Sequence, residues 1–299
     1  MLSQLREKSG ALKPDVILWV ISALMLFCFS ANAATFRHIT AEPANGAIIN
    51  SDGSLTENGV TYPVIYKPVP QASWVRSPWI SPSQGYNSGH SIGMEIDAQD
   101  PTSSGQVDKV NHRLCSGNDS FALTWGVKRY TGFALELRSA TFQIPQPGTK
   151  LMLAQWWQGS PYGPPVRLEI TSATTDAVSF EFWVLNNDTL GNPSATPIII
   201  GGGTIPFDAW TTFVVMLIPD YTGNGQIKVW QNGNQIIYWT GKVGYDPSTI
   251  PYKNPPAGTP NPNNSFDVFY GPYRDRQPTQ QQVFYDEIRF TDTYLEALP

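Results

Sequence analysis

Histidine and cysteine are scarce in this sequence. Three histidines, His38, His90 and His112, and two cysteines, Cys28 and Cys115, are all that 299 residues contain. Cys28 falls in an N-terminal leader, so the rest of the chain has one thiol and no intrachain disulfide. No cluster of residues has the spacing of a metal site, and no cofactor is expected, a structural calcium among loop carboxylates apart. Charge is thin as well: 14% of residues are charged and the formal net charge is −5. A mildly acidic chain is a poor partner for nucleic acid, and any acidic ligand would need cations gathered locally. Beyond Phe29 no apolar run is long enough to span a bilayer. Amphipathic helical windows, internal repeats and low-complexity tracts are missing too.

What is present begins with the leader. Arg6, Lys8 and Lys13 precede an apolar run from Val16 to Phe29, and Ala31-Asn32-Ala33 follows. That order reads as a secretory signal peptide cleaved after Ala33. Residues 1–33 are therefore expected to be removed, leaving a secreted or periplasmic protein with no membrane attachment. Removing three basic and two acidic leader residues takes the net charge from −5 to −6. Residues 34–299 number 266 (299 less 33), a length that suits one large β-sandwich. A monomer is expected.

Twenty-five glycines, 26 prolines and 12% aromatics fit short strands joined by many turns. Period-two alternation marks those strands: 130–144, 150–158, 165–173, 177–186, 210–218 and 226–239, then "FDVFYGPYR" and "QQVFYDEIRF". Asn232-Gly233 inside one of them is a hairpin-turn signal. The class is all-β. Alternation also assigns faces. Val166, Leu168 and Ile170 oppose Arg167 and Glu169; Phe180, Phe182 and Val184 oppose Glu181 and Trp183; Met152, Ala154 and Trp156 oppose Leu153, Gln155 and Trp157. One face is a core. The other, with Gln155, Arg167, Glu169, Trp157 and Trp183, has the mixed polarity of a sugar-binding surface. Residues 244–265 hold six prolines and no periodicity, which reads as a long loop, either a lid or plain connection.

Four stretches in order, "KLMLAQWWQ", "GQIKVWQNG", "FYGPYR" and "VFYDEIRF", resemble the β-jelly-roll polysaccharide lyases of the heparin lyase I and glucuronan lyase type, with an alginate lyase-like fold. The resemblance implies a single concanavalin A-like sandwich of two antiparallel sheets acting on an acidic polysaccharide. It also implies site residues. Gln155 matches the family glutamine, Tyr273 the tyrosine of a G-x-Y signature, and Arg274 the arginine that follows. His112 stands where some members carry a catalytic histidine, with His90 in reserve. Two departures matter: Trp157 replaces a histidine that often follows the glutamine, and Phe269 replaces a lysine four residues before the tyrosine. Losing that lysine removes a cation and disfavours a sulfated polymer, so glucuronan or alginate is expected.

The chemistry explains the residue types. A lyase takes the proton from the carbon beside a uronate carboxylate and expels the glycosidic oxygen from the next carbon. An amide such as Gln155 holds the carboxylate without being a competing acid. His112 serves as the base and Tyr273 as the acid; one tyrosine does both where proton and leaving group share a side of the ring. Gly271 is expected to leave room for a sugar beside Tyr273, and Arg167, Glu169, Trp157, Trp183 and Arg274 to bind substrate. Two alternatives stand beside this. A laminarinase-like hydrolase would use Glu95, Asp97 and Asp100, and a non-catalytic carbohydrate-binding protein would use the same aromatic face without chemistry.

Overall fold

Strand-forming residues at alternate positions give this chain two large sheets, each apolar on the side turned toward the other. A computed structural model describes residues 35–299 apart from 69, 88, 117, 118, 120, 160–162, 186–196 and 247–264. The chain divides into Met1–Ala34 and Thr35–Pro299, and the signal peptide read from the sequence lies outside the described residues. No helix among the described residues is long and apolar enough to cross a membrane.

In the first sheet the strands run β17 (Asn234–Val243), β16 (Asp220–Gln231), β15 (Thr211–Ile218), β10 (Arg129–Phe142), β19 (Gln281–Thr291), β7 (Ser91–Ile96) and β6 (Trp79–Ser81). β1 (Thr35–Ile39) also pairs with β19. In the second they run β14 (Ile198–Pro206), β13 (Ala177–Val184), β12 (Val166–Ala173), β11 (Leu151–Trp157), β18 (Ser265–Asp275), β8 (Val107–Cys115) and β5 (Val64–Lys67). β9 (Leu123–Thr124) lies beside β18. A small third sheet holds β2 (Ile48–Ile49), β3 (Leu55–Glu57) and β4 (Val60–Tyr62). The strand pairings are antiparallel throughout, so the fold is the all-β jelly-roll sandwich that the alternation implies.

Aromatic rings meet one another in the hydrophobic layer between the sheets, among a majority of aliphatic side chains. Phe133 of β10 stands 4.5 Å, ring centre to ring centre, from Tyr270 of β18, and Tyr270 stacks on Tyr285 of β19 at 5.8 Å. Phe180, Phe182 and Phe213 pack beside them, with Trp156 against Phe182. The Asn232-Gly233 turn joins β16 to β17 with positive φ at both residues, 49° and 78°, as a two-residue hairpin requires.

One face assignment changes. β11 carries a bulge between Met152 and Ala154 against both neighbours, which puts one extra residue on that strand. Leu151 and Leu153 join the core cluster with Ala154 and Trp156, and Met152 does not. Met152 pairs across the strands with Tyr273 on one side and Glu169 on the other, so it shares their outward face. The carbonyl of Leu153 accepts a 2.7 Å hydrogen bond from the Tyr285 hydroxyl of the opposite sheet. Of the long loop, residues 247–264 lie outside the described residues, and with them the lid reading. Its first residues are tied down: the Gln158 amide donates to the carbonyl of Tyr245 at 2.7 Å and accepts from its N–H at 2.6 Å.

Candidate active site

Cα partners in neighbouring strands point their side chains the same way, so register builds the outer face of the second sheet row by row. One row reads Lys67, Lys109, Tyr273, Met152, Glu169, Glu181 across β5, β8, β18, β11, β12 and β13. A second reads Arg113, Phe269, Gln155, Arg167, Trp183 and, on β14, Ile199. Gln155, Arg167, Glu169, Trp157, Trp183 and Tyr273 therefore share one face.

Lysines surround Tyr273. The Nζ of Lys150 lies 4.9 Å from its ring centre, that of Lys109 5.2 Å and that of Lys67 5.9 Å. Lys109 is also 4.7 Å from the ring of Phe269. A lysine of the neighbouring strand thus stands beside position 269, where the resemblance led to the expectation of a lysine. Burial, and then the charge of Lys67, push Lys109 down to about 8, with Asp267 opposing. Burial, and then the Asp275 carboxylate, hold the Tyr273 phenol above its ordinary value. The site therefore pairs an amine that sheds its proton easily with a phenol that keeps its own.

Gln155 is almost wholly buried. Its Nε2 donates to Asn111 Oδ1 at 3.2 Å, reaching from β11 to β8 across the intervening β18. The Asn111 amide in turn donates to the carbonyl of Gly271, and Gly271 sits in β18 at φ 131°. A Cβ there would overlap the Val110 carbonyl oxygen and stand 2.5 Å from Met94 Sδ and 2.8 Å from Asn111 Nδ2. The space beside Gly271 is filled by protein atoms, so the glycine is required by packing rather than by a sugar.

Other expected residues lie elsewhere. His112 is wholly buried, and its Nε2 stands 3.0 Å from the carbonyl of Gly53. It pairs with Tyr270, a core residue, so its ring is on the side of β8 opposite Lys109, Asn111 and Arg113. Burial pushes it down to about 4. Arg274 is wholly buried too. It donates to the carbonyls of Thr279 and Asp97 and to Gln281 Oε1, and lies 3.7 Å from Asp108. These contacts tie the end of β18 to the turn that follows and to the other sheet. His90 bonds Glu42 at 2.9 Å, and His38 bonds Glu287 at 2.6 Å. Glu95 and Asp97, the carboxylates of the hydrolase alternative, belong to the other sheet's side, where Arg76 Nε contacts both at 3.0 and 2.9 Å; Asp100 is exposed beyond the strand. Among the described residues no three His, Cys, Asp or Glu side chains are grouped to hold a metal ion.

On the face itself, Arg167 Nε donates to Glu169 at 2.7 Å, and its guanidinium lies 5.1 Å from the ring of Trp183. Trp157 packs against Phe269 at 5.9 Å. Sequence reasoning missed Lys67, Lys109, Asn111 and Lys150. The signal for two of them was in "KVNHRL": Val110, His112 and Leu114 share one parity, Lys109, Asn111 and Arg113 the other.

A sequence profile described as polysaccharide lyase matches residues 83–289. No curated protein matches the chain in sequence. Among solved structures, an endo-β-1,4-glucuronan lyase from the fungus Trichoderma reesei is similar at 15% identity, over 78% of this chain and 96% of that one, with a TM-score of 0.49. Alginate lyase AlyC3 is similar at 11% identity, over 74% and 79% of the two chains, with a TM-score of 0.45. An alginate lyase from Pseudomonas aeruginosa is similar at 14%, over 67% and 82%, with a TM-score of 0.41.

Proposed function

The chain belongs to the polysaccharide lyase family, and from that premise we propose that it cleaves a uronate-bearing polysaccharide by β-elimination on the outer face of the second sheet. The observation that supports this is the convergence of Lys67, Lys109 and Lys150 on the Tyr273 ring. An acidic chain has gathered its cations where an acidic sugar would lie. The leader extends the proposal to a secreted enzyme.

Each residue has a part. One hydrogen of the Gln155 amide goes to Asn111, and the second holds the uronate carboxylate, whose charge grows as the neighbouring C–H bond breaks. Lys109, in its neutral form, takes that proton. The C–H electron pair becomes a carbon–carbon double bond, and the bond to the glycosidic oxygen breaks with its pair going to oxygen. Tyr273 gives that oxygen its proton. The resulting phenolate recovers a proton from the Lys109 ammonium, and the site is reset. His112, on the inward side of β8, has no part in these steps.

The protonation states set the pH profile. Lys109 must be neutral to act, so kcat/KM rises with pH through about 8 and falls again where Tyr273 loses its proton. The test is release of ultraviolet-absorbing unsaturated uronate from a panel that includes glucuronan and alginate, with wild type and Tyr273→Phe. The expected result is product from the wild type and at least about a hundredfold lower kcat in the variant, with polymer binding and melting kept. New reducing ends without ultraviolet absorbance would overturn the elimination.

A further inference from the structure

The outer face changes character halfway across, and this bears on the substrate that the elimination reading leaves open. Over β5, β8 and β18 stand Lys67, Lys109 and Arg113, with Lys150 turned to the Tyr273 ring. Asp267 is 3.8 Å from Arg113 and Asp275 4.0 Å from Lys150, which leaves this half net positive. Over β12, β13 and β14 the same two rows continue as Glu169, Glu181 and Gly202, and as Arg167, Trp183 and Ile199. Arg167 is paired with Glu169. Glu181, half-exposed and directly opposite Glu169, is left as the net charge of this half. Beside it stand the half-exposed Trp183 and Ile199, which is 51% exposed.

From β18 to β13 is three strand spacings, about 14 Å, which is longer than one sugar unit. A polymer crossing the strands thus presents one sugar to the lysines and another to Glu181 and Trp183. A uronate at the second place would bring its carboxylate against Glu181, where the described residues offer no cation but Arg167, already paired with Glu169. A neutral sugar suits that place. Its hydroxyls donate to the Glu181 carboxylate, and its apolar ring face packs on Trp183 and Ile199. Resting on the elimination reading, we infer that this lyase takes a copolymer in which uronates are joined to uncharged sugars, and that the β12–β14 half of the face selects the uncharged one.

The test compares kcat/KM, read as unsaturated uronate, on two homopolyuronates, glucuronan and alginate, and on a copolymer of glucuronate alternating with a neutral sugar. Wild type is expected to favour the copolymer by at least about tenfold. Glu181→Gln should narrow that ratio, and Glu181→Lys should reverse it, with melting temperatures measured to establish that both variants are folded. Should Glu181→Lys fail to fold, the ratio in Glu181→Gln decides. Equal or faster turnover of a homopolyuronate by wild type, with the ratio unmoved in Glu181→Gln, overturns the divided face and leaves the elimination standing. Absence of unsaturated product from every uronate polymer overturns both.

Discussion

The two sides of β8 put two nitrogen bases three residues apart in different chemical worlds. Outward, Lys109 keeps its amine beside two aromatic rings, with Lys67 near enough to disfavour its charge. Inward, His112 is wholly buried against the carbonyl of Gly53, on the core side of β8 with its strand partner Tyr270. Burial lowers both, Lys109 to about 8 and His112 to about 4. A lowered pKa therefore does not by itself mark a catalytic base. The group must also reach a bound substrate, and His112 is wholly buried on the inward side of the strand.

The largest expected effect breaks the outward side. Lys109→Met keeps length and apolar volume and removes the amine. Turnover should fall by roughly 10²–10⁴-fold, and the rise of kcat/KM through about pH 8 should vanish from what remains. Turnover within a few-fold of wild type, with the pH limb retained, would assign the base elsewhere.

The inward side is broken by His112→Gln, and its effect belongs to stability. An unfolded histidine takes up a proton near its ordinary 6.5, whereas the folded one waits until about 4. Between those values the unfolded state binds more protons, so stability falls as pH falls. The difference of about 2.5 pH units corresponds to about 3 kcal/mol, lost progressively from above pH 6.5 down to pH 4. In His112→Gln this contribution disappears. The stability gap between wild type and variant, measured by urea unfolding, should shift by about 3 kcal/mol between pH 7 and pH 4, to the variant's relative advantage in acid. Elimination by the folded variant should stay near wild type. A gap constant with pH would mean that His112 is not held neutral in the fold.

Alternation was enough for the sheets, because each strand between two layers must bury every second residue. It also placed Gln155, Arg167, Glu169 and Trp183 together, since Gln155, Arg167 and Trp183 are strand partners past the β11 bulge and Glu169 is two residues from Arg167 on β12. It misplaced Met152, because a bulge inserts a residue without any mark in "KLMLAQWW". His112 was misread for a different reason. The chemistry of histidine was weighed above the parity it shares with Val110 and Leu114, two core residues. Parity in "KVNHRL" turns Lys109 outward, but the cluster around it was not legible. Lys67, Lys109 and Lys150 come from three distant parts of the chain and meet only through strand order. Gly271 was correctly singled out as special, but its reason is the Val110 carbonyl and Met94 behind it, contacts that exist only once two sheets are stacked.

The smallest expected effect sharpens the comparison instead of breaking it. Phe269→Lys restores the residue that the family pattern has at this position. The ring that now lies 4.7 Å from the Lys109 ammonium is lost, and with it an attraction that favours the charged amine. A second ammonium takes its place and disfavours that charge further. Both changes act in one direction, so Lys109 should lose its proton more readily. The lower limb of kcat/KM should move from about 8 toward acid by about half a unit to one unit, the size of a like-charge interaction at about 5 Å in a partly solvated site. Because that interaction is screened, the displacement should shrink in high salt. Turnover on the alkaline plateau should change only a few-fold, since neither Lys109 nor Tyr273 is removed. The inward side gives the control: the acid stability slope contributed by His112 should be unchanged, because its ring faces away from position 269. A limb that stays where it was, or moves toward alkali, would mean that the titrating base is not Lys109.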